Sequence, residues 1–228
     1  MIKFCQDPIF ILGLLIRVSL IFFLSPTPIA EWYVPFMESS VDTFSLDPWS
    51  IWINSGGALE AFPYGYAMWL FLYPFIAVFS VLGLEAEIGY YFSLLSADFL
   101  LLLILHKLLP GREKLLLVAY WCSPIIILAS YAYGLNDIIP ALFLGLSILY
   151  LRRSRLYYAG FFLATAISAK LSMVIAAPFF IVYLLNNKSL RQLLKRFLIG
   201  FNTALIVFWL PFLLSSSAMQ MLLGNPEL

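Results

Sequence analysis

Charged residues are scarce in this chain. Asp, Glu, Lys and Arg together make up 11% of its 228 residues, against about a quarter in a soluble domain. Histidine is nearly absent, with His106, beside Lys107 at the end of an apolar run, the single example. Imidazole-based zinc chemistry and Ser/His catalysis therefore have almost nothing to stand on. Two cysteines, Cys5 and Cys122, lie far apart in or beside apolar runs, so neither a disulfide framework nor a metal-binding pair is encoded. The charges nearly cancel, at +1 with a pI near 7.7, which leaves no basic surface for nucleic acid. No internal repeat or low-complexity run is evident.

What is present is hydrocarbon. Hydrophobic residues make up 63% of the chain and the mean hydropathy is +0.98. An excess of that size cannot be hidden in one aqueous core, so the solvent is a lipid bilayer. The fold class expected is all-α, a polytopic transmembrane helical bundle forming a single membrane domain over residues 1–228. A crossing takes about 17–25 mostly apolar residues. The first candidate covers residues 9–29 and is interrupted only by Arg17. Pro28-Ile29-Ala30 is a poor cleavage site and multi-spanning sequence follows, so this is a first span and not a signal peptide. Further apolar blocks run 66–84, 88–106, 115–131, 135–151, 156–187 and 197–214.

The cations orient these blocks. Beyond Arg17 they form three clusters, Lys107/Arg112/Lys114, Arg152/Arg153/Arg155 and Lys188/Arg191/Lys195/Arg196, with Lys170 apart. The positive-inside rule places all three clusters on the cytoplasmic side. Residues 115–151 and 156–187 must then each leave and return, with outer turns near Tyr133–Asp137 and Ser168–Lys170. A single helix over 156–187 would bury Lys170 at mid-membrane, at about 2.5–3.5 kcal/mol. Lys3 and Arg17 place the N-terminus inside, so residues 30–87 form an outer loop. From there one of the two blocks before Lys107 cannot cross. The block 66–84 is chosen as a surface-lying or re-entrant helix, because Pro74 interrupts it and Glu85 and Glu87 follow it. Seven crossings result, with 88–214 holding the remaining spans and 215–228 an outer tail. Ala218, Met219, Met221, Leu222 and Leu223 form an amphipathic turn in that tail, stopped by Asn225-Pro226.

This topology gathers the unusual polar residues on the outer face. The loop carries Asp42 and Asp47 among Trp32, Tyr33, Phe36, Phe44, Trp49, Trp52, Phe62 and Tyr64. Such rings suit the membrane interface and also stack on sugar faces. Asp47 precedes Pro48, the arrangement of an N-cap followed by proline at the first helical position. Carboxylates held against a bilayer by apolar neighbours bind protons more tightly, which suits a base that takes a proton from a hydroxyl. Asn136-Asp137 stands at the second outer turn, where one of them can cap the helix beginning at Ile138 and the pair can also belong to a site. Lys170 stands at the third turn, where it either snorkels to the headgroups or binds a lipid phosphate. Arg17 and Asp98 are the two charges placed deep in apolar blocks, and a mutual pair would relieve both desolvation penalties.

In this order of elements the chain resembles the membrane-embedded glycosyltransferases of the GT-C fold, most closely the glycosylphosphatidylinositol-type mannosyltransferases and related bacterial groups. The parallels are an acidic first outer loop (Asp42, Asp47), then Gly56-Gly57 and Phe62-Pro63-Tyr64. Ser123-Pro124 follows, leading to the Gly134–Asp137 turn, and Tyr158-Ala159-Gly160 precedes Lys170. The acidic turn at Asn136-Asp137 is similar to that of oligosaccharyltransferase catalytic subunits. The resemblance implies a seven-span catalytic module and transfer of a hexose, mannose first, from a polyprenyl-phosphate carrier to an acceptor hydroxyl, with inversion. It implies Asp47 or Asp42 as the base, and Asn136, Asp137, Lys170 and Tyr64 as substrate-binding residues. No cofactor and no metal are expected. The membrane is the cell membrane of a prokaryote or the endoplasmic reticulum of a eukaryote. Members of the family continue with further spans, so the resemblance implies a truncated product with a missing C-terminal half, a half that takes a partner subunit, or a minimal relative. The competing class is non-catalytic: an accessory subunit, or a flippase or transporter for lipid-linked sugars.

Overall fold

The computed structural model describes residues 3–224, and its regular structure among them is entirely helical. The expected stop at Asn225-Pro226 lies outside the described residues. Helix α1, Pro8–Phe23, opens on the Asp7 side chain, which accepts the Ile9 N–H at 2.9 Å with Pro8 at the first position. It ends at Phe23, short of the Ile29 expected, because Pro26 follows. Leu24 turns extended (φ −126°, ψ 136°), a proline disfavours helical geometry at the Ser25 before it, and α2, Pro28–Asp42, sets off at 62° to α1.

A short α3, Pro48–Asn54, and α4, Tyr66–Val81, follow, then α5, Ala86–Leu108. The block 115–131 is broken in the same way as the first. Helices α6, Glu113–Trp121, and α7, Pro124–Ala132, meet at 45° across Cys122-Ser123. The chain continues through α8, Ile138–Arg152, and α9, Leu156–Ala169. It breaks at Lys170, which is extended (φ −150°, ψ 122°), and resumes as α10, Leu171–Asn186. A single turn α11, Lys188–Arg191, leads to α12, Leu194–Leu214, and α13, Ser216–Leu223.

Two of these helices, α5 with 23 residues and α12 with 21, are long and apolar enough to cross a bilayer alone. The number rises to four if each bent pair is one span. Helices α4, α8, α9 and α10 are apolar but shorter than a full crossing. Helix length and composition therefore support a multi-pass membrane protein without reaching the seven crossings expected. The difference lies in the bends before Pro28 and Pro124, which divide two expected spans, and in α8, α9 and α10, which each fall short of a full crossing. The break at Lys170, by contrast, is the outer turn expected there.

The helices pack in the order α12, α9, α8, α5, α4. At the α9–α12 crossing, a Cβ on Gly160 would collide with the Phe197 carbonyl and one on Gly200 with the Tyr157 carbonyl. Small residues at such a crossing let two backbones touch. Helices α5 and α8 run the same way, since Arg152 at the end of α8 donates to the Leu108 carbonyl at the end of α5, at 2.5 Å. Helix α4 lies across the opposite end. The Gly65 N–H, just before it, donates to the Ser168 carbonyl near the end of α9 at 3.1 Å. Phe71 then meets Phe143 of α8, and Phe75 and Phe79 meet Phe92 in the first turns of α5. Helix α4 thus begins and ends at the same end of the bundle.

The expected pair between Arg17 and Asp98 forms, with Nε to Oδ2 at 2.7 Å and both side chains fully buried. Tyr120 donates to Asp98 Oδ1 at 2.7 Å and Tyr131 to Oδ2 at 3.0 Å. Arg17 Nη1 donates to the Trp121 carbonyl at 2.6 Å, where the break before Pro124 leaves the last turn of α6 in need of a donor. The guanidinium lies 3.9 Å from the Trp121 ring centre. These contacts join α1, α5, α6 and α7 and account for both deep charges as structure.

Candidate functional site

The site is at the end of the bundle crossed by α4, where three segments of chain meet. The first is the turn before α8. Asp137 occupies the N-cap position of α8, but its side chain makes no capping bond. It accepts from Lys170 Nζ at 2.6 Å instead, with side-chain exposures of 47% for the carboxylate and 29% for the ammonium. The alternative in which Asp137 caps the helix is therefore set aside. The second segment is Lys170 itself, whose extended backbone between α9 and α10 leaves its side chain free to reach this turn.

The third segment is the strap before α4. Phe62 stacks on Phe36 with ring centres 4.5 Å apart, and the Trp49 indole N–H donates to the Phe62 carbonyl at 3.2 Å. Gly65 closes the strap against α9, because a Cβ there would strike the Ser168 carbonyl. Tyr64 is thereby placed with its ring 6.0 Å from Lys170 Nζ and its hydroxyl 3.0 Å from that of Tyr33. Burial, and then the neighbouring Tyr33, hold the Tyr64 phenol well above its ordinary pKa. Tyr64 thus serves at neutral pH as a hydrogen-bonding hydroxyl and not as a base. Tyr33 stacks on Tyr90, which donates to the Gly134 carbonyl at 3.3 Å.

Asn136, next to Asp137 in the turn, lies beside the Tyr64 and Tyr90 hydroxyls. Its side chain is fully buried and interacts with both of these hydroxyls, but neither amide atom reaches a close hydrogen bond. A buried polar group left unpaired costs about 1–3 kcal/mol, and in native proteins such groups are few and call for an explanation.

Of the residues singled out from sequence, Asn136, Asp137, Lys170 and Tyr64 come together. Asp47 sits one segment away. Its Oδ1 caps α3 through the Ser50 N–H at 3.1 Å and accepts the Ser215 hydroxyl at 2.8 Å, which leaves Oδ2 unbonded. Tyr66 links this region to the strap by donating its hydroxyl to the Leu46 carbonyl. Asp42 is the last residue of α2 and exposed, and among the described residues it makes no hydrogen bond or ion pair. Its charged neighbour is Glu38.

Sequence reasoning passed over Tyr90 and Ser215, placed Ser168 only as part of a turn, and read Tyr33 as an interfacial or sugar-stacking ring. Nothing in their local patterns sets these residues apart from other helix residues. Among the described residues no three His, Cys, Asp or Glu side chains gather as a metal-ligand set. Beyond Ser215, the outward half of α12 carries a shallow apolar groove lined by Leu205, Ile206, Trp209, Leu210 and Leu213. No family model, curated protein or solved structure matches this chain.

Proposed function

We propose that the chain is a membrane glycosyltransferase that moves a hexose, mannose first, from a polyprenyl-phosphate carrier to an acceptor hydroxyl at the outer or luminal face. The observation that carries this reading is the meeting of Asn136, Asp137, Lys170 and Tyr64 from three distant segments, with the Asn136 amide buried and only loosely engaged by the Tyr64 and Tyr90 hydroxyls. An ammonium, a phenol and a loosely held amide in one place suit a phosphate and sugar hydroxyls. The position of α4, with both ends at one end of the bundle, supports a rim that is covered but not crossed there.

In the proposed reaction the acceptor oxygen attacks the anomeric carbon as Asp47 Oδ2 takes its proton. The bond from the anomeric carbon to the phosphate oxygen breaks, its electron pair stays on that oxygen, and configuration inverts. Asp47 is preferred to Asp42 because two bonds fix its Oδ1 while Oδ2 stays open. Lys170 stabilises the departing phosphate monoester, with the Asn136 amide as a further donor. Asp137 holds the ammonium in place until phosphate arrives. The carrier's tail would follow the apolar groove on α12, which ends beside Ser215 and hence beside Asp47.

The test is transfer from polyprenyl-phosphate mannose to alkyl mannosides by the full chain in proteoliposomes. Removing one charge-stabilising donor costs about 10²–10³ in rate, so Lys170→Met should lose transfer on that scale. Asp47→Asn should lose it as well, and Asp42→Asn should not. Transfer that survives both Lys170→Met and Asp47→Asn would refute the site. Movement of the lipid-linked sugar across the bilayer with no new glycosidic bond would establish the flippase alternative.

A further inference from the structure

The opposite end of the bundle carries a second feature, independent of the site above. From Ile138 to Pro226 the chain contains no Asp or Glu at all, yet it carries eight of the thirteen Lys and Arg residues. Apart from Lys170, these fall in two turns. One is Arg152, Arg153 and Arg155, from the last residue of α8 to the start of α9, and the other is Lys188, Arg191, Lys195 and Arg196, from α11 into the first turn of α12.

The fold brings the two turns together. Leu151 and Leu156, which flank the first, share one apolar cluster with Leu184, Leu190 and Phe197, which flank or lie within the second. The glycine-lined crossing of α9 and α12 starts one turn further in. All seven cations are exposed. Arg152 is committed to the Leu108 carbonyl. Among the described residues the other six make no side-chain hydrogen bond and no ion pair.

The remaining basic cluster is built differently. Lys107, Arg112 and Lys114 surround Glu113, which itself approaches His106 at 3.7 Å. Only the joined pair of turns is left with no internal counter-charge. Directly beside it, α10 presents an exposed apolar wall of Phe179, Ile181, Val182 and Leu185.

We infer that these two turns form a binding surface for anionic phospholipid headgroups at the cytoplasmic leaflet, with the acyl chains lying along α10. Clustered Lys and Arg at a membrane surface attract acidic lipids, each adding a roughly similar increment that salt screens. A soluble polyanion would match the charge but would have no use for the hydrocarbon wall immediately below it. Topology alone would be satisfied by a modest excess of Lys and Arg, so it does not require the complete exclusion of acids.

The experiment measures the thermal midpoint of the detergent-purified full chain titrated with phosphatidylglycerol, phosphatidylcholine, or the water-soluble headgroup glycerophosphoglycerol. Phosphatidylglycerol should half-saturate at roughly tenfold lower concentration than phosphatidylcholine, and the preference should shrink as salt is raised. The combined variant R153Q/R155Q/R191Q/K195Q/R196Q should lose the preference, whereas K107Q/R112Q/K114Q should keep it. The salt series on the unaltered chain stands as evidence even where the charge-depleted variant fails to insert. Equal binding of the two lipids, or a preference indifferent to salt, would overturn the proposal. So would an effect of glycerophosphoglycerol equal to that of the intact lipid, which would mark a site for soluble anions.

Discussion

Two ion pairs in this molecule differ in what they are for, and exposure separates them. The Lys170–Asp137 pair is partly exposed, so its own contribution to stability is about 0–1 kcal/mol. The Arg17–Asp98 pair is fully buried and hydrogen-bonded by two tyrosines. Removing one partner there leaves the other charge stranded, at a cost of about 3–5 kcal/mol. Asp98→Asn should therefore lower the thermal midpoint in detergent sharply, and the double change Arg17→Met with Asp98→Leu should recover most of it. A double variant no better than the single would contradict a purely structural pair.

Asn136 makes the complementary prediction. Its amide is buried without a close hydrogen bond, so Asn136→Leu removes a poorly satisfied group and should leave the midpoint unchanged or raised. Sugar transfer should fall in the same variant. A loss of stability instead would show that Asn136 is a structural bond-former.

Arg17 and Asp98 were legible from sequence as a pair because they are the two charges stranded inside apolar blocks. Tyr120, Tyr131, Tyr33 and Tyr90 were not, since an aromatic in an apolar helix gives no sign of which neighbour its hydroxyl will meet. The fate of Asp137 was equally hidden. A capping position and an ion-pairing position read alike until Lys170 is placed beside it.

At the scale of elements, the apolar blocks gave the helices their order and type, and the prolines gave several of their ends. Pro8, Pro28, Pro48 and Pro124 each stand at the start of a helix. The blocks did not show how their lengths would be divided, because an apolar run reads the same whether it is one helix or two joined at an angle. Nor could they show the closest contact in the bundle, where Gly160 and Gly200 each face the other helix's backbone. Gly200→Ala should force α9 and α12 apart and cost about 1–3 kcal/mol as overpacking, read as a lower thermal midpoint. An unchanged midpoint would mean the two helices do not press together as described.

For the molecule as a whole, charge is sorted by end. One end holds Asp137, Lys170 and, across the strap, Asp47, and the other holds seven exposed cations with no acid between them. Both the proposed transfer chemistry and the proposed lipid surface depend on these ends facing opposite sides of a bilayer. The direct measurement uses single cysteines in a chain with Cys5 and Cys122 replaced by serine. Tyr133, which is 66% exposed next to the Asn136 turn, and Arg153 in the first basic turn are each changed to cysteine in turn. A membrane-impermeant maleimide added to intact cells should label position 133 at once, and position 153 only after the membrane is opened. Labelling of position 153 from outside, or of both positions from the same side, would contradict the account.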